Sequence, residues 1–121
     1  MFILKISEVS KKYGVSPATL RYYEEIQLLP EIYRVNGYRW YNDRDLERLQ
    51  FIICMKDSKM SLEKMKIYFD LYDEGNHTLK KRLDLLNAHK EETLNLLKKI
   101  NNSLDYIDYK IDLTKANIVQ T

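Results

Sequence analysis

The sequence predicts a mainly α protein, in which a winged helix-turn-helix head precedes a long C-terminal helix that forms a dimeric coiled coil. Three observations support this fold class. Only three glycines and two prolines occur in 121 residues, too few turn residues for an ordinary β domain. Two short helices with clear end signals flank a glycine turn, and the last third of the chain repeats apolar residues at heptad spacing.

Composition narrows the class of protein. Apolar residues make up 45% of the chain and charged residues 31%, as in a folded domain and unlike a disordered or membrane protein. No run approaches the ~18 apolar residues of a membrane helix, and the first residues do not form a signal peptide, so we expect a cytoplasmic protein without membrane contact. The net charge of +2 lies within residues 1–42. Any nucleic-acid affinity would therefore depend on where the charges are placed.

The first helix follows a short strand expected at residues 2–6. Ser7 is the predicted cap of this helix, which runs to about Tyr13, and Gly14 ends it. Ser16 then caps a second helix that has Pro17 at its first position and runs to about residue 26. Two short helices joined by a turn that contains glycine form the helix-turn-helix pattern.

A β-hairpin is expected over residues 32–41. Asn36-Gly37 between apolar and aromatic residues is the strongest short-range hairpin signal. This hairpin would form a wing that carries Arg34, Tyr38 and Arg39, and Trp40 is expected to anchor it to the core.

Two further helices complete the predicted head. Asn42 caps a third helix over residues 43–57, and Ser61 caps a fourth over residues 62–72, which a turn at residues 74–76 ends. The apolar positions expected to face the core are Leu46, Leu49 and Ile53 in the third helix and Met65, Phe69 and Tyr72 in the fourth.

The rest of the chain predicts a dimerisation helix. From Thr78 onward there is no proline or glycine, and nine of the twelve positions of an apolar seam are apolar, with Lys90 and Thr93 among the interruptions. An exposed seam implies a partner chain, although a helix packed back on the head is the alternative. The predicted seam residues are Leu83, Leu86, Leu97, Ile100, Leu104, Ile107, Ile111 and Ile118. The expected domains are residues 1–75 for the head and 76–118 for the dimerisation helix, with a tail at 119–121.

The second helix has the features of a recognition helix for double-stranded DNA. Ser16 and Thr19 are small enough for close approach, and Thr19 offers a hydroxyl and a methyl group to a base edge. Arg21 would supply a bidentate contact to a phosphate or a base, and one of Tyr22 and Tyr23 would face the DNA backbone. A small helical core with surface arginine and tyrosine remains the alternative.

The wing and the junction of the third and fourth helices add candidate phosphate contacts. Arg34, Tyr38 and Arg39 flank a tight turn, which suits a hairpin laid on the DNA backbone. Lys59 and Lys56 would reach phosphates further out, although a solvated face fits these two lysines equally well.

At this point the sequence resembles the MerR family of bacterial regulators, over nearly all of residues 3–75. The combination of Leu-Arg-Tyr-Tyr-Glu with a later Gly-Tyr-Arg is highly specific. The matching runs are at residues 5–10, 14–16, 19–26, 28–30, 37–41, 45–49 and 61–63.

The resemblance implies an antiparallel coiled-coil homodimer that binds a palindromic operator inside an over-long promoter spacer. The dimer would kink and untwist the DNA and so realign the promoter for RNA polymerase, which is an indirect partner. By position, Arg21, Tyr22, Tyr38 and Arg39 would contact DNA, with Thr19 near the bases.

Two departures from the family pattern occur at turns. Gln27 stands where the family usually has glycine before Leu-Leu, at a cost of ~1 kcal/mol if the backbone there is left-handed. Lys59-Met60 replaces the usual Gly-Phe before Ser61. Neither change threatens the fold, but both would alter the path between helices.

The single cysteine, Cys54, is the candidate sensor. Metal sensing needs several soft ligands, and one cysteine with distant His77 and His89 does not provide them, although a site shared across a dimer stays open. We expect no metal and no cofactor. Composition alone favours a buried core cysteine. The Phe-Ile-x-Cys-Met run resembles the small thiol- or aldehyde-responsive branch of the family (AdhR/NmlR-like), which implies that Cys54 senses electrophiles.

Two alternative functions remain at this point. The first is a regulator that binds a small apolar molecule between head and coiled coil, lined by Tyr68, Phe69, Tyr72, Tyr106 and Tyr109. The second is a coiled-coil architectural or adaptor protein without regulated transcription. An enzyme is not expected, because no nucleophile–base pair, glycine-rich phosphate loop or carboxylate dyad stands out.

Overall fold

The computed structural model describes residues 3–120 and divides the chain into two compact units, the first ending at Arg82 and the second beginning at Leu83. A single helix, α5 (Leu79–Gln120), begins in the first unit and forms the second. The other elements of the first unit are β1 (Leu4–Lys5), α1 (Ile6–Tyr13), α2 (Pro17–Glu25), β2 (Tyr33–Val35), β3 (Tyr38–Tyr41), α3 (Asp43–Asp57), α4 (Leu62–Glu74) and a 3₁₀ turn (Asn76–Thr78).

The helix-turn-helix is set by local end signals, as predicted. Gly14 closes α1 in the left-handed region, at φ 70°, and its N–H donates to the Ser10 carbonyl at 3.0 Å. At the start of α2, Ser16 Oγ accepts the Thr19 N–H at 3.1 Å, and Pro17 occupies the first position.

The predicted cap of α1 was wrong. Lys5 is the N-cap residue and has extended backbone, and its own N–H donates to Glu8 Oε1 at 3.0 Å. The helix therefore begins two residues earlier, and Ser7 lies inside its first turn. The strand before α1 is correspondingly short, Leu4–Lys5, while Phe2 of the predicted strand lies outside the described residues.

The three strands form one antiparallel sheet in the order β1-β3-β2. Asn36 and Gly37 have φ values of 52° and 81°, the pair of positive angles that a two-residue type I′ hairpin turn requires. The register sets Arg34 directly opposite Arg39. The predicted wing is confirmed, and its two arginines are cross-strand neighbours.

The core anchor of the wing is Tyr41 rather than the predicted Trp40. Tyr41 is fully buried, whereas Trp40 is only partly buried and lies beneath the Lys5 ammonium, 5.4 Å from its ring centroid. Successive side chains of a strand point to opposite faces, so the two neighbours could not both enter the core.

The helices of the head pack most of the predicted residues inside. Burying each large apolar side chain contributes about 1.5–3 kcal/mol. Two predictions were wrong, because Ile52 rather than Ile53 is the fully buried isoleucine of α3, and Tyr72 of α4 is exposed. The buried apolar residues are Val9, Leu20, Tyr23, Leu28, Leu29, Ile32, Tyr41, Leu46, Leu49, Ile52, Met60, Met65 and Phe69.

Tyr72 lies at the junction between α4 and α5, where an arginine contacts one side of its ring. The Arg82 guanidinium covers the Tyr72 ring at 5.0 Å and donates from Nε to Thr78 Oγ1 at 3.0 Å. Thr78 Oγ1 in turn donates to the Leu71 carbonyl at 2.6 Å, near the C-terminal end of α4. A cation, rather than apolar packing, therefore covers Tyr72.

Helix α5 contains 42 residues and is about 63 Å long. A long helix was predicted from Thr78 onward, and α5 begins one residue later. Throughout residues 3–120, no helix is both long enough and apolar enough to cross a membrane.

Both non-glycine residues at the family's glycine positions have left-handed backbone. Gln27 has a φ of 62° and Lys59 a φ of 70°. A left-handed conformation costs a residue with a Cβ roughly 1–2 kcal/mol. Replacing that residue by glycine would remove this cost, but the greater conformational entropy of glycine in the unfolded chain would offset part of the gain. The predicted strain at Gln27 is therefore present, and Lys59 shares it.

Gln27→Gly is expected to raise the free energy of unfolding by about 0.5–1 kcal/mol, and Lys59→Gly by a similar amount. Urea unfolding at one fixed chain concentration measures both. Gln50→Gly, the same change at an exposed site within α3, is the matched control and should lower stability by about 1 kcal/mol. Equal losses from Gln27→Gly and Gln50→Gly would contradict the strain at Gln27.

Candidate nucleic-acid interface

The N-terminal turn of α2 ties two of the predicted base-reading residues to each other. The Ser16 and Thr19 hydroxyl oxygens lie 2.8 Å apart, in addition to the capping bond from the Thr19 N–H. Ser16 thus serves first as a helix cap. The pair presents one linked set of hydroxyl groups at the end of the helix rather than two independent side chains.

The two tyrosines of α2 divide as the helix geometry requires. Tyr23 is buried, at 3% exposure, and Tyr22 is 48% exposed, with the ring centroids 6.3 Å apart. Of the two, Tyr22 is therefore the one that a ligand can reach. Arg21, the neighbouring residue, is also exposed.

Glu24 joins this helix to the wing, which the sequence did not reveal. Its carboxylate accepts from Arg39 Nε at 2.8 Å and from Arg34 Nη2 at 3.3 Å. The Arg39 side chain is 19% exposed and the Arg34 side chain 51%, so Arg39 is held and Arg34 remains largely in solvent. The only sequence signal was an acidic residue within a segment that carries the positive excess.

The face of the hairpin opposite these arginines is aromatic and exposed. Tyr38, a predicted contact, and Tyr33, which the sequence analysis did not single out, both project from the sheet with most of their area accessible. Their side chains alternate with those of Arg34 and Arg39 along the strands and so lie on the other face of the hairpin, where their hydroxyl groups can hydrogen-bond to a nucleic-acid backbone. Tyr33 joins the candidate contacts.

Beneath the wing, Tyr41 is a buried phenol near the ion cluster. Burial raises the pKa of Tyr41 to about 12, and the Arg39 charge opposes this shift. Its hydroxyl has no hydrogen-bond partner among residues 3–120. Asp45, which accepts the Asn42 N–H at 3.0 Å and completes the capping box of α3, also has a raised pKa because it is desolvated.

The C-terminal end of α3 lies beside the helix-turn-helix. Ile53, Lys56 and Asp57 line one groove with residues of the turn and of α2, including Thr19 and Tyr23. Lys59 follows this end of α3 and is exposed. The structure therefore places the C-terminal end of α3 beside α2.

Cys54 is exposed, contrary to the interpretation of it as a core residue. It lies one residue after Ile53 on α3, and its Sγ accepts from Gln50 Nε2 at 3.2 Å. Because the thiol is not packed inside the head, an adduct would not have to overpack the core of this unit. Within residues 3–120, no group of three or more histidine, cysteine or acidic side chains is arranged to hold a metal ion.

The aromatic residues of the alternative ligand pocket fall into two groups. Phe51 and Tyr68 stack with centroids 4.5 Å apart and line a groove of the first unit, with Phe69 and Tyr72. Arg44, Glu47 and Arg48 complete its lining. Tyr106 and Tyr109 belong to the second unit, where they lie 6.1 Å apart on α5.

The predicted seam of α5 is accessible in the single chain. Seven of its eight predicted residues are exposed, Leu83, Leu97, Ile100, Leu104, Ile107, Ile111 and Ile118, while Leu86 is partly buried. A continuous row of exposed leucine and isoleucine is unfavourable in water, and a second chain would remove it from solvent.

A glycine-turn helix pair with an arginine-bearing wing defines the class of winged helix-turn-helix DNA-binding proteins. Within that class, this chain belongs to the MerR family, because residues 4–71 match the family described as MerR HTH family regulatory protein. Both the predicted family and the predicted fold class are confirmed.

Curated relatives support this assignment. The HTH-type transcriptional regulator AdhR of Bacillus subtilis is 37% identical over 84 residues, which cover 69% of this chain and 60% of AdhR. An HTH-type regulator of Haemophilus influenzae is 30% identical over 106 residues, which cover 87% of this chain and 78% of the relative. The chain is thus a DNA-binding transcriptional regulator and not an enzyme.

Solved structures agree with this fold over most of the chain. A MerR family transcriptional regulator from Listeria monocytogenes has a TM-score of 0.81 at 40% identity, covering 90% of this chain and 83% of that one. HiNmlR, a MerR family regulator that lacks the sensor domain, is bound to promoter DNA and has a TM-score of 0.83 at 29% identity, covering 91% and 88%. MerR regulators bind DNA as dimers.

Proposed function

We propose that this chain is a homodimeric regulator that binds a palindromic promoter operator and controls transcription by distorting the DNA. The observation that carries the proposal is one cleft of the head, which Arg21 and Glu24 of α2 line together with the wing residues Arg34 and Arg39. Tyr22, the residue after Arg21, is exposed as well. Recognition helix and wing thus present cations and aromatic rings together, which suits simultaneous contact with base edges and phosphates.

The proposed contacts are those predicted from the sequence, with different roles for some of them. Arg21, Tyr22, Arg34 and Tyr38 are exposed contacts, and Lys59 reaches outlying phosphates. Arg39 acts from a fixed position on the wing. Ser16 and Thr19 present their linked hydroxyl groups towards the bases.

Dimerisation is proposed to occur through residues 76–118, and DNA binding through residues 1–75. The exposed apolar seam supports an antiparallel pairing of two α5 helices, by likeness to the family. Two heads related by a two-fold axis would read a site with the same symmetry. Deformation of the operator would then realign the promoter for RNA polymerase in the bacterial cytoplasm.

Electrophile sensing by Cys54 is the finer proposal. The exposed thiol supports it, as does the similarity to AdhR, since accessibility is a requirement for a reactive cysteine. An aldehyde would add at its carbonyl carbon, forming an S–C bond, while the thiol proton moves to the carbonyl oxygen to give a hemithioacetal. The position of Cys54 on α3 also supports sensing, because the adjacent Ile53 lines the groove shared with α2.

Binding of a small apolar molecule is the second candidate. The groove lined by Phe51, Tyr68, Phe69 and Tyr72 favours it, since stacked rings with two arginines and a glutamate at the edge would accept a flat, mainly apolar compound. Response of a cysteine-free variant to such a compound would favour this candidate over Cys54.

DNA binding is tested by selecting duplexes from a randomised library with the purified dimer and measuring affinity by gel shift. We expect enrichment of a duplex with two-fold symmetry. Arg21→Ala should weaken binding to this selected duplex by about 5- to 150-fold, the range for one arginine contact to a base. Lys66→Ala, which removes a partly buried cation of α4 that is paired with Asp70, is the control and should have little effect. Failure to enrich any duplex would favour the adaptor alternative.

A further inference from the structure

We propose that Glu24 is a positioning residue for DNA recognition, which fixes the wing arginines in the orientation that binds the operator. The proposal rests on the DNA-binding function above. It assigns a constructive role to an acidic side chain on a surface that meets a polyanion, where charge alone would predict that it only repels the ligand.

The register of the hairpin creates the need for such a residue. Arg34 and Arg39 are directly opposite each other on β2 and β3. Like charges at directly opposed positions of an antiparallel pair repel each other and destabilise the pair. One carboxylate that accepts from both guanidinium groups compensates this repulsion, and Glu24 does so with a different oxygen for each arginine.

The two ion pairs hold the two arginines to different degrees. Arg39 donates through Nε at 2.8 Å, which fixes the plane of its guanidinium while engaging one of its five N–H donors. Glu24 does not engage its terminal amino groups, and we propose that these contact DNA. Arg34 is more exposed and bonds at 3.3 Å, so a phosphate can draw it away at lower cost.

Burial makes the arrangement stiff. The Glu24 side chain is 11% exposed and lies on α2, so the carboxylate is held by the recognition helix itself. Glu24 lines one cleft with Arg21, Glu25, Arg34 and Arg39. Because the arginines take their orientation from α2, the wing and the recognition helix meet DNA as one preorganised surface.

The test compares Glu24→Ala with Glu25→Ala on the selected duplex and on an unrelated duplex of equal length and base composition. Glu25 is the matched control, because it is the next residue, is exposed and lines the same cleft. Removing either carboxylate makes the surface more positive by one charge. Glu25→Ala is expected to tighten binding to both duplexes slightly.

Glu24→Ala is expected to weaken binding to the selected duplex about 10-fold or more while binding to the unrelated duplex stays equal or tightens. On the selected duplex, the slope of log affinity against log salt concentration should become less negative by about 0.9, the value for one phosphate contact, because a positioned arginine is lost. Glu24→Gln keeps an oxygen acceptor for Arg39 and should recover most of the specific affinity.

Several outcomes would overturn the proposal. Tighter binding of Glu24→Ala to both duplexes, as with Glu25→Ala, would show that Glu24 acts only by charge. Equal losses on both duplexes with a lowered thermal midpoint would show a merely structural role. If Glu24→Ala does not fold, Glu24→Met, which keeps the length of the side chain but has no oxygen acceptor, is compared with Glu25→Met, and equal tightening of both again rejects positioning. If the wild-type protein selects no duplex, the DNA-binding proposal itself fails instead.

Discussion

Replacing Ile100 and Leu104 together by lysine is expected to convert the dimer into a monomer and to abolish binding to the selected duplex. Both side chains are about half exposed on α5 and lie on adjacent seam positions. In a dimer the two changes remove four apolar side chains, each worth about 1.5–3 kcal/mol when buried, and they add four like charges. The dissociation constant should rise by at least about 10⁴-fold.

Sedimentation equilibrium measures this directly, since the chain has a mass of 14.6 kDa and the dimer twice that value. Asn102→Lys is the control for position, because it places one lysine between the two seam positions but on another face of α5. It should leave the dimer intact. If the double variant remains a dimer, these seam residues do not form the dimer interface. If the wild-type chain is a monomer, homodimerisation itself is rejected.

The elements that the sequence predicted best are those set by chemistry within a few residues. Ser16, Asn42 and Ser61 each accept a backbone N–H three residues later, as their types suggested. The Asn36-Gly37 turn needed only two positive φ angles, which these two residues adopt more readily than others. Such features do not depend on what the rest of the chain packs against.

Errors occurred where neighbouring residues compete for one buried position. Leu49 is followed by Ile52 and Ile53, at steps of three and four, and both spacings fit one face of a helix. Packing in the folded head selects Ile52. In β3 a shift of one residue exchanges the two faces of the strand, and so Tyr41 rather than Trp40 enters the core.

The candidate site was predicted as a set of cations and aromatic rings, but not as an arrangement. Arg34 and Arg39 meet Glu24 across sequence separations of 10 and 15 residues, and only the folded wing brings them together. The exposure of Cys54 likewise depends on which face of α3 the core takes. Residue types thus indicated the chemistry, whereas tertiary structure determines which groups are fixed and which are accessible.

Cys54→Ala is expected to keep the affinity for the selected duplex and to abolish the response to aldehydes. The thiol is exposed and makes its side-chain contact with Gln50, so its loss should cost little stability. Methylglyoxal is a suitable probe, with transcription from a promoter that carries the selected duplex as the readout. Because the sequence contains one cysteine, adduct formation measured by intact mass reports on this site among thiols.

Cys54→Ser is the conservative comparison, since it keeps the size of the side chain and removes the nucleophile that forms the adduct. It should behave as Cys54→Ala does. If both variants still respond to methylglyoxal as the wild type does, Cys54 is not the sensor, and a response that persists with a flat apolar compound would turn attention to the groove between α3 and α4. Adduct formation on the wild type without any change in transcription would separate reactivity from regulation. In that case Cys54 is an accessible thiol, and its modification does not change the DNA contacts of α2 through Ile53.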